Sequence, residues 1–116
     1  MPHLILHYSK ELETHVSIGQ LLETLSRTLG EIESIRREDI KARAIPITDY
    51  VVGNTGSTVR TFNIQLVVMP GRPPEIIATA LDRLLEESRR LVPGPVEITI
   101  ESRDLDPNRY RKVRIS

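Results

Sequence analysis

The hydrophobic pattern of this chain changes period from two residues to roughly 3.6 and back, then repeats the change, and that order leaves few folds open. Residues 3–8 form a short apolar strand. In the helix that follows, Ile18, Leu21, Leu22, Leu25 and Leu29 share one face. Ser17 and Gln20 make a capping box at its start, and Gly30 supplies a C-terminal cap. A loop or short helical turn through residues 31–39 leads to an extended stretch, 40–52. Pro46 within it has no amide to donate, which marks an edge, bend or bulge. Gly53-Asn54-Thr55-Gly56-Ser57 is a turn cluster, and beyond it the order repeats. Residues 58–69 are the clearest strand, with Phe62, Ile64, Leu66 and Val68 alternating with Asn63 and Gln65. Pro70-Gly71 breaks it and Pro73-Pro74 opens a second helix. Ile76, Ile77, Ala80, Leu81, Leu84 and Leu85 form that helix's stripe, which ends before Pro93-Gly94-Pro95. Residues 96–100 are the last core strand.

The expected fold class is therefore α+β, a duplicated β-α-β with a four-stranded mixed sheet and two helices on one face. Each crossover is expected to be right-handed. The chain reads as one domain over residues 1–116, with halves at about 2–52 and 58–102 and a polar, basic tail at 103–116. Tyr110, Val113 and Ile115 are the tail's candidate anchors. A sheet covered on one face leaves the other to be buried, and association between copies is the simplest way to do it.

Composition narrows the function. Sixteen Lys and Arg balance sixteen Asp and Glu, so no global field argues for nucleic acid or an anionic membrane. Four aromatic residues, Tyr8, Tyr50, Phe62 and Tyr110, are too few for a base-stacking platform. No apolar run approaches the ~20 residues that span a bilayer, and the start is too short for a signal peptide's apolar region. With no cysteine the chain has neither disulfides nor thiolate chemistry, which suits the cytoplasm. His3 and His7 share a strand face but stand about 13 Å apart at strand rise, too far to chelate one metal ion. No metal site and no cofactor motif is expected. Arg109 to Arg114 is the basic run of the tail, read as a segment packing on a neighbouring subunit in preference to a nucleic-acid tail.

Pro2 is the candidate catalytic residue. Aminopeptidases remove Met before small residues, and removal of Met1 would leave Pro2 with a free secondary amine at the head of an apolar strand. An exposed α-amine titrates around 7.7–8.0, and desolvation or nearby cations lower it. A base near neutral pH suits proton abstraction beside a carbonyl. With Met1 retained, the Pro2 nitrogen is an amide and cannot act as a base.

Met1-Pro2-His3-Leu4-Ile5-Leu6 with Tyr8-Ser9 resembles the start of the 5-carboxymethyl-2-hydroxymuconate isomerase branch of the tautomerase superfamily. The resemblance continues through Asp39-Ile40-Lys41-Ala42-Arg43, Phe62 to Pro70-Gly71-Arg72, and Asp104-Leu105-Asp106-Pro107 with Tyr110 downstream. It implies a cofactor-free homotrimer in which an amino-terminal proline moves a proton within an unsaturated 2-hydroxy or 2-oxo polycarboxylic acid of homoprotocatechuate degradation. It also implies that Arg72 binds a carboxylate or polarises the carbonyl, with Lys41 and Arg43 assisting. Arginine suits such a site because its planar fork pairs a carboxylate bidentately and stays charged. Two positions depart from the family pattern: Lys41 stands where the family has arginine, and His7 where it commonly has glutamate. Lysine keeps the charge and loses the fork. Two further readings stay open at this level. One is another tautomerase-superfamily reaction on a small unsaturated acid, and the other is a trimeric binding or assembly module without catalysis.

Overall fold

Strand β1 (Pro2–Ser9) buries Leu4, Leu6 and Tyr8 on one side and leaves His3, Ile5 and His7 half-buried on the other. In the computed structural model, which describes residues 1–116, this asymmetry extends across a four-stranded sheet. The sheet also contains β2 (Lys41–Ile47), β3 (Arg60–Val68) and β4 (Val96–Asp104), in the order β2-β1-β3-β4. β1 runs parallel to β2 and antiparallel to β3, and β3 runs parallel to β4. The strand order puts β2 and its Pro46 on an edge, where a missing amide donor is tolerated.

Helices α1 (Ile18–Leu29) and α2 (Pro74–Leu91) cover the apolar face. Leu21, Leu25 and Leu29 of α1 and Ala80 and Leu84 of α2 join Leu4, Leu6, Phe62, Ile64, Leu66 and Val68 in one core. Leu85, at the margin of the α2 stripe, is 38 % exposed and lies outside it. The predicted cap of α1 is present in part, the Ser17 hydroxyl accepting from the Gln20 amide at 3.4 Å. Gly30 occupies the C-terminal cap in a right-handed conformation, so its lack of a side chain serves space. A Cβ there would stand 2.8 Å from the Arg37 Cβ.

The structure adds features that periodicity did not reveal. A single 3-10 turn at Lys10–Thr14 drops Leu12 into the core. The Tyr8 hydroxyl donates to the Glu13 carboxylate at 2.6 Å, and burial followed by that bond pushes the phenol up to about 12. β4 runs four residues past the expected end at 100, because its ladder with β3 continues to the Val68–Asp104 pair. Val113 and Ile115 are 80 % and 88 % exposed, so of the expected tail anchors only Tyr110 packs within the chain. No helix is long and apolar enough to cross a membrane.

Candidate active site

One end of the sheet gathers residues from all four strands. The antiparallel register sets Pro2 against Val68, the last residue of β3, and the parallel register sets His3 against Lys41, the first residue of β2. β4 ends there too, and the Leu105 amide donates to the Val68 carbonyl at 2.7 Å. The start of the chain, the start of β2, the β3–α2 turn and the start of the tail therefore share one rim. Pro2 itself is fully buried on the helix side of β1.

Arg72 leaves this rim in the turn after β3, where Gly71 adopts φ +109°, a conformation that side chains rarely accept. Its guanidinium reaches across to the loop after α1. Nε donates to the Ser34 hydroxyl at 3.0 Å and one terminal nitrogen to the Ser34 carbonyl at 3.1 Å. Ser34 is the one non-glycine residue with positive φ, at 69°. The bonds to Ser34 fix the arginine fork without using a carboxylate. Lys41 donates from Nζ to the Asp39 carbonyl at 2.7 Å, again a neutral partner. Lys41, Arg43, Arg72 and Lys112 have no carboxylate within ion-pair distance, whereas Arg36, Arg37, Arg83, Arg89, Arg90, Arg103 and Arg109 do. The cations of this rim keep their charge for something else.

The electrostatics follow from that arrangement. Burial, then Lys41, holds the chain's terminal amine below its ordinary value of 8.0. Lys112 and Arg72 lower it further, and Asp39 opposes them. Burial, followed by Arg43, Lys41 and the terminal amine, keeps the His3 imidazole below 6.5. Its Nδ1 is buried without a partner, and the Tyr110 ring packs edge-on against it with centroids 5.8 Å apart. Beside the rim lies a cleft of about 400 Å³ walled by Arg36, Glu38, Asp39 and Lys41 on one side and Lys112, Val113 and Arg114 on the other. Nowhere do three or more His, Cys, Asp or Glu side chains converge in a way that could hold a metal ion.

Of the residues singled out from sequence, Pro2, Lys41 and Arg72 meet at this rim. Arg43 stands opposite Ile5, two residues along β2 and about 7 Å further in, on the same face as Lys41 and His3. It acts on His3 and is not among the charges that shift the amine. His7 lies four residues along β1 between Ile45 and Asn63, so its departure from the family pattern falls away from this chain's own rim. Ser34 and Lys112 escaped sequence reasoning. A serine between two isoleucines carries no signal, and the tail's basic run gave no indication that one of its lysines turns back to the chain's start.

The rim and its cations can be compared with known proteins. The family model of 5-carboxymethyl-2-hydroxymuconate isomerase matches residues 2–97. A 5-carboxymethyl-2-hydroxymuconate isomerase from Deinococcus radiodurans R1 superposes with TM-score 0.82 at 21% identity, covering 98% of this chain and 90% of its own. A 5-carboxymethyl-2-hydroxymuconate delta-isomerase superposes with TM-score 0.81 at 18% identity, covering 98% and 88%. A fused 4-OT wild-type symmetric trimer does so with TM-score 0.71 at 13% identity, covering 93% and 91%. At these identities the likeness is one of fold. Among curated proteins none matches the sequence.

Proposed function

Because the chain belongs to the 5-carboxymethyl-2-hydroxymuconate isomerase family, and is thus an isomerase of the tautomerase type, we propose that Pro2 is its proton-transfer group. Removal of Met1 would turn the Pro2 nitrogen from an amide into a secondary amine at the rim. The observation that carries this reading is the field at the chain's start. Burial and Lys41, with Lys112 and Arg72, disfavour a charged amine there, which is what keeps a base free near neutral pH.

The reaction asks for little else. The Pro2 nitrogen takes a proton from the substrate's enol oxygen or activated carbon, and the electron pair shifts along the conjugated system. The ammonium then returns a proton to the carbon at the far end, so substrate and product are isomers. Arg72 holds a carboxylate or polarises the carbonyl as negative charge develops on its oxygen, with its fork pre-set by Ser34. Lys41 and Arg43 assist. The substrate is an unsaturated 2-hydroxy or 2-oxo polycarboxylate, which fits the unpaired cations of the rim. No cofactor enters the scheme.

The wider reading is a homotrimer acting in the cytoplasm in catabolism of aromatic compounds. A sheet face without helices and the trimeric relative of the same fold support the assembly, and the name of the family supports the pathway class. The test begins with intact mass, to establish loss of Met1, and then follows turnover of 5-carboxymethyl-2-hydroxymuconate by ultraviolet absorbance. Pro2→Ala, which leaves a primary amine, lowers turnover, and acetylation of the amine abolishes it. Full activity in a Met1-retaining or acetylated protein overturns Pro2 as the base.

A further inference from the structure

The C-terminal segment is held close to the site by its own hydrogen bonds. Asp106 caps the short turn Pro107–Arg109 by accepting from the Asn108 amide at 3.0 Å. The Tyr110 ring then packs on His3. The Arg111 guanidinium folds back to donate to the Tyr110 carbonyl at 2.9 Å and the Asn108 carbonyl at 3.3 Å. The backbone is thus directed as far as Arg111, and the next residue, Lys112, enters the wall of the 400 Å³ cleft that Lys41 lines from the other side.

The cleft's charges are unequal. Its walls carry four cations against two carboxylates, and Arg36 engages both carboxylates, Glu38 at 2.9 Å and Asp39 at 3.6 Å. Lys41, Lys112 and Arg114 remain unpaired. Lys112 and Arg72 both act on the terminal amine, yet they come from different segments, and only Lys112 lines the cleft. A substrate with one carboxylate needs one such cation beside the base. A second cation from a separate segment has work to do only for a substrate with a second carboxylate.

We propose that Lys112 is a specificity-determining residue that binds a further carboxylate of the substrate in the cleft facing Lys41, so that the site selects polycarboxylates over monocarboxylates. The proposal rests on the isomerase reading for the word substrate, and its test is a binding measurement that does not require turnover.

Propane-1,2,3-tricarboxylate and propanoate serve as probes, titrated by NMR at low salt into the wild-type protein and into K112A, K112R and R27A. Arg27 is exposed on α1, has no ion-pair partner and lies outside the site, so R27A controls for loss of one positive charge. The wild type binds the tricarboxylate at least about tenfold more tightly than propanoate. K112A weakens the tricarboxylate by about five- to tenfold and propanoate less than twofold, the range for one charge-assisted contact. K112R restores binding and R27A changes neither probe. Lys112 is exposed, so its replacement leaves the core intact. Equal weakening of both probes, an equal effect of R27A, or a wild type that does not prefer the tricarboxylate overturns the proposal. Turnover is read separately. Lys112-dependent binding without isomerisation sinks the isomerase reading alone, and isomerisation without a Lys112-dependent preference sinks the subsite alone.

Discussion

Lys41 has two roles at the rim, since its charge sits beside the chain's start and its Nζ is held by the Asp39 carbonyl. The sign of its effect on activity follows. The proposed base works when deprotonated, so the rate rises with pH through the amine's pKa, which burial and then Lys41 hold below 8.0. Removing the cation weakens the force that expels the proton. Lys41→Gln therefore moves the acid limb of the kcat/KM profile to higher pH, while Arg27→Gln leaves it in place. A limb that stays fixed in Lys41→Gln means that this charge does not tune the base. Arg72 differs in kind, because Ser34 holds its fork while its charge remains unpaired. Such an arginine orients a substrate group, whereas Lys41 mainly supplies charge.

At the level of the element, the two glycines near the ends of α1 are opposites. At Gly30 the backbone is right-handed, and alanine would be acceptable except that its Cβ meets Arg37 at 2.8 Å. Arg37 lies in the 3-10 turn that leads into β2, so the helix end and the start of β2 are packed through this contact. Gly30→Ala lowers stability by about 1–3 kcal/mol, the range for overpacking a filled site. At Gly19 a Cβ would meet nothing within 4 Å, and Gly19→Ala raises stability by up to about 1 kcal/mol through helix propensity alone. Thermal denaturation of the pair reads both signs. Equal shifts would mean that the Arg37 contact relaxes without cost. β4 also belongs at this scale. Its last residues, Ser102 to Asp104, lack an apolar alternation and join the sheet because β3 offers them partners to its end.

For the whole molecule, the question is what becomes of the face without helices. Ile5, Val67 and Ile45 lie there among His3, His7, Asn63 and Gln65, and Ile45 is 39 % exposed. Both outer strands also present an unpaired edge. The proposed trimer would cover such a face by closed symmetry. Light scattering then gives three times the chain mass for the wild type, and Ile5→Lys, which sets a second cation beside Arg43, gives a single chain. A wild-type protein that runs as one chain at micromolar concentration overturns the assembly.

The element order, the core stripes and the candidate residues Pro2, Lys41, Arg43 and Arg72 were all legible in the sequence, because period, caps and turn residues are local properties written within a few positions. Even Pro46's edge location was readable, since a missing donor is a property of one residue. Strand order and register are not local. They decide that residue 2 meets residue 68 and residue 3 meets residue 41, which brings Arg72 to the rim and leaves Arg43 one step behind it. The bonds from Arg72 to Ser34 and the return of Lys112 toward the chain's start exist only in the folded chain, because those placements depend on hydrogen bonds and packing between segments that no periodicity encodes.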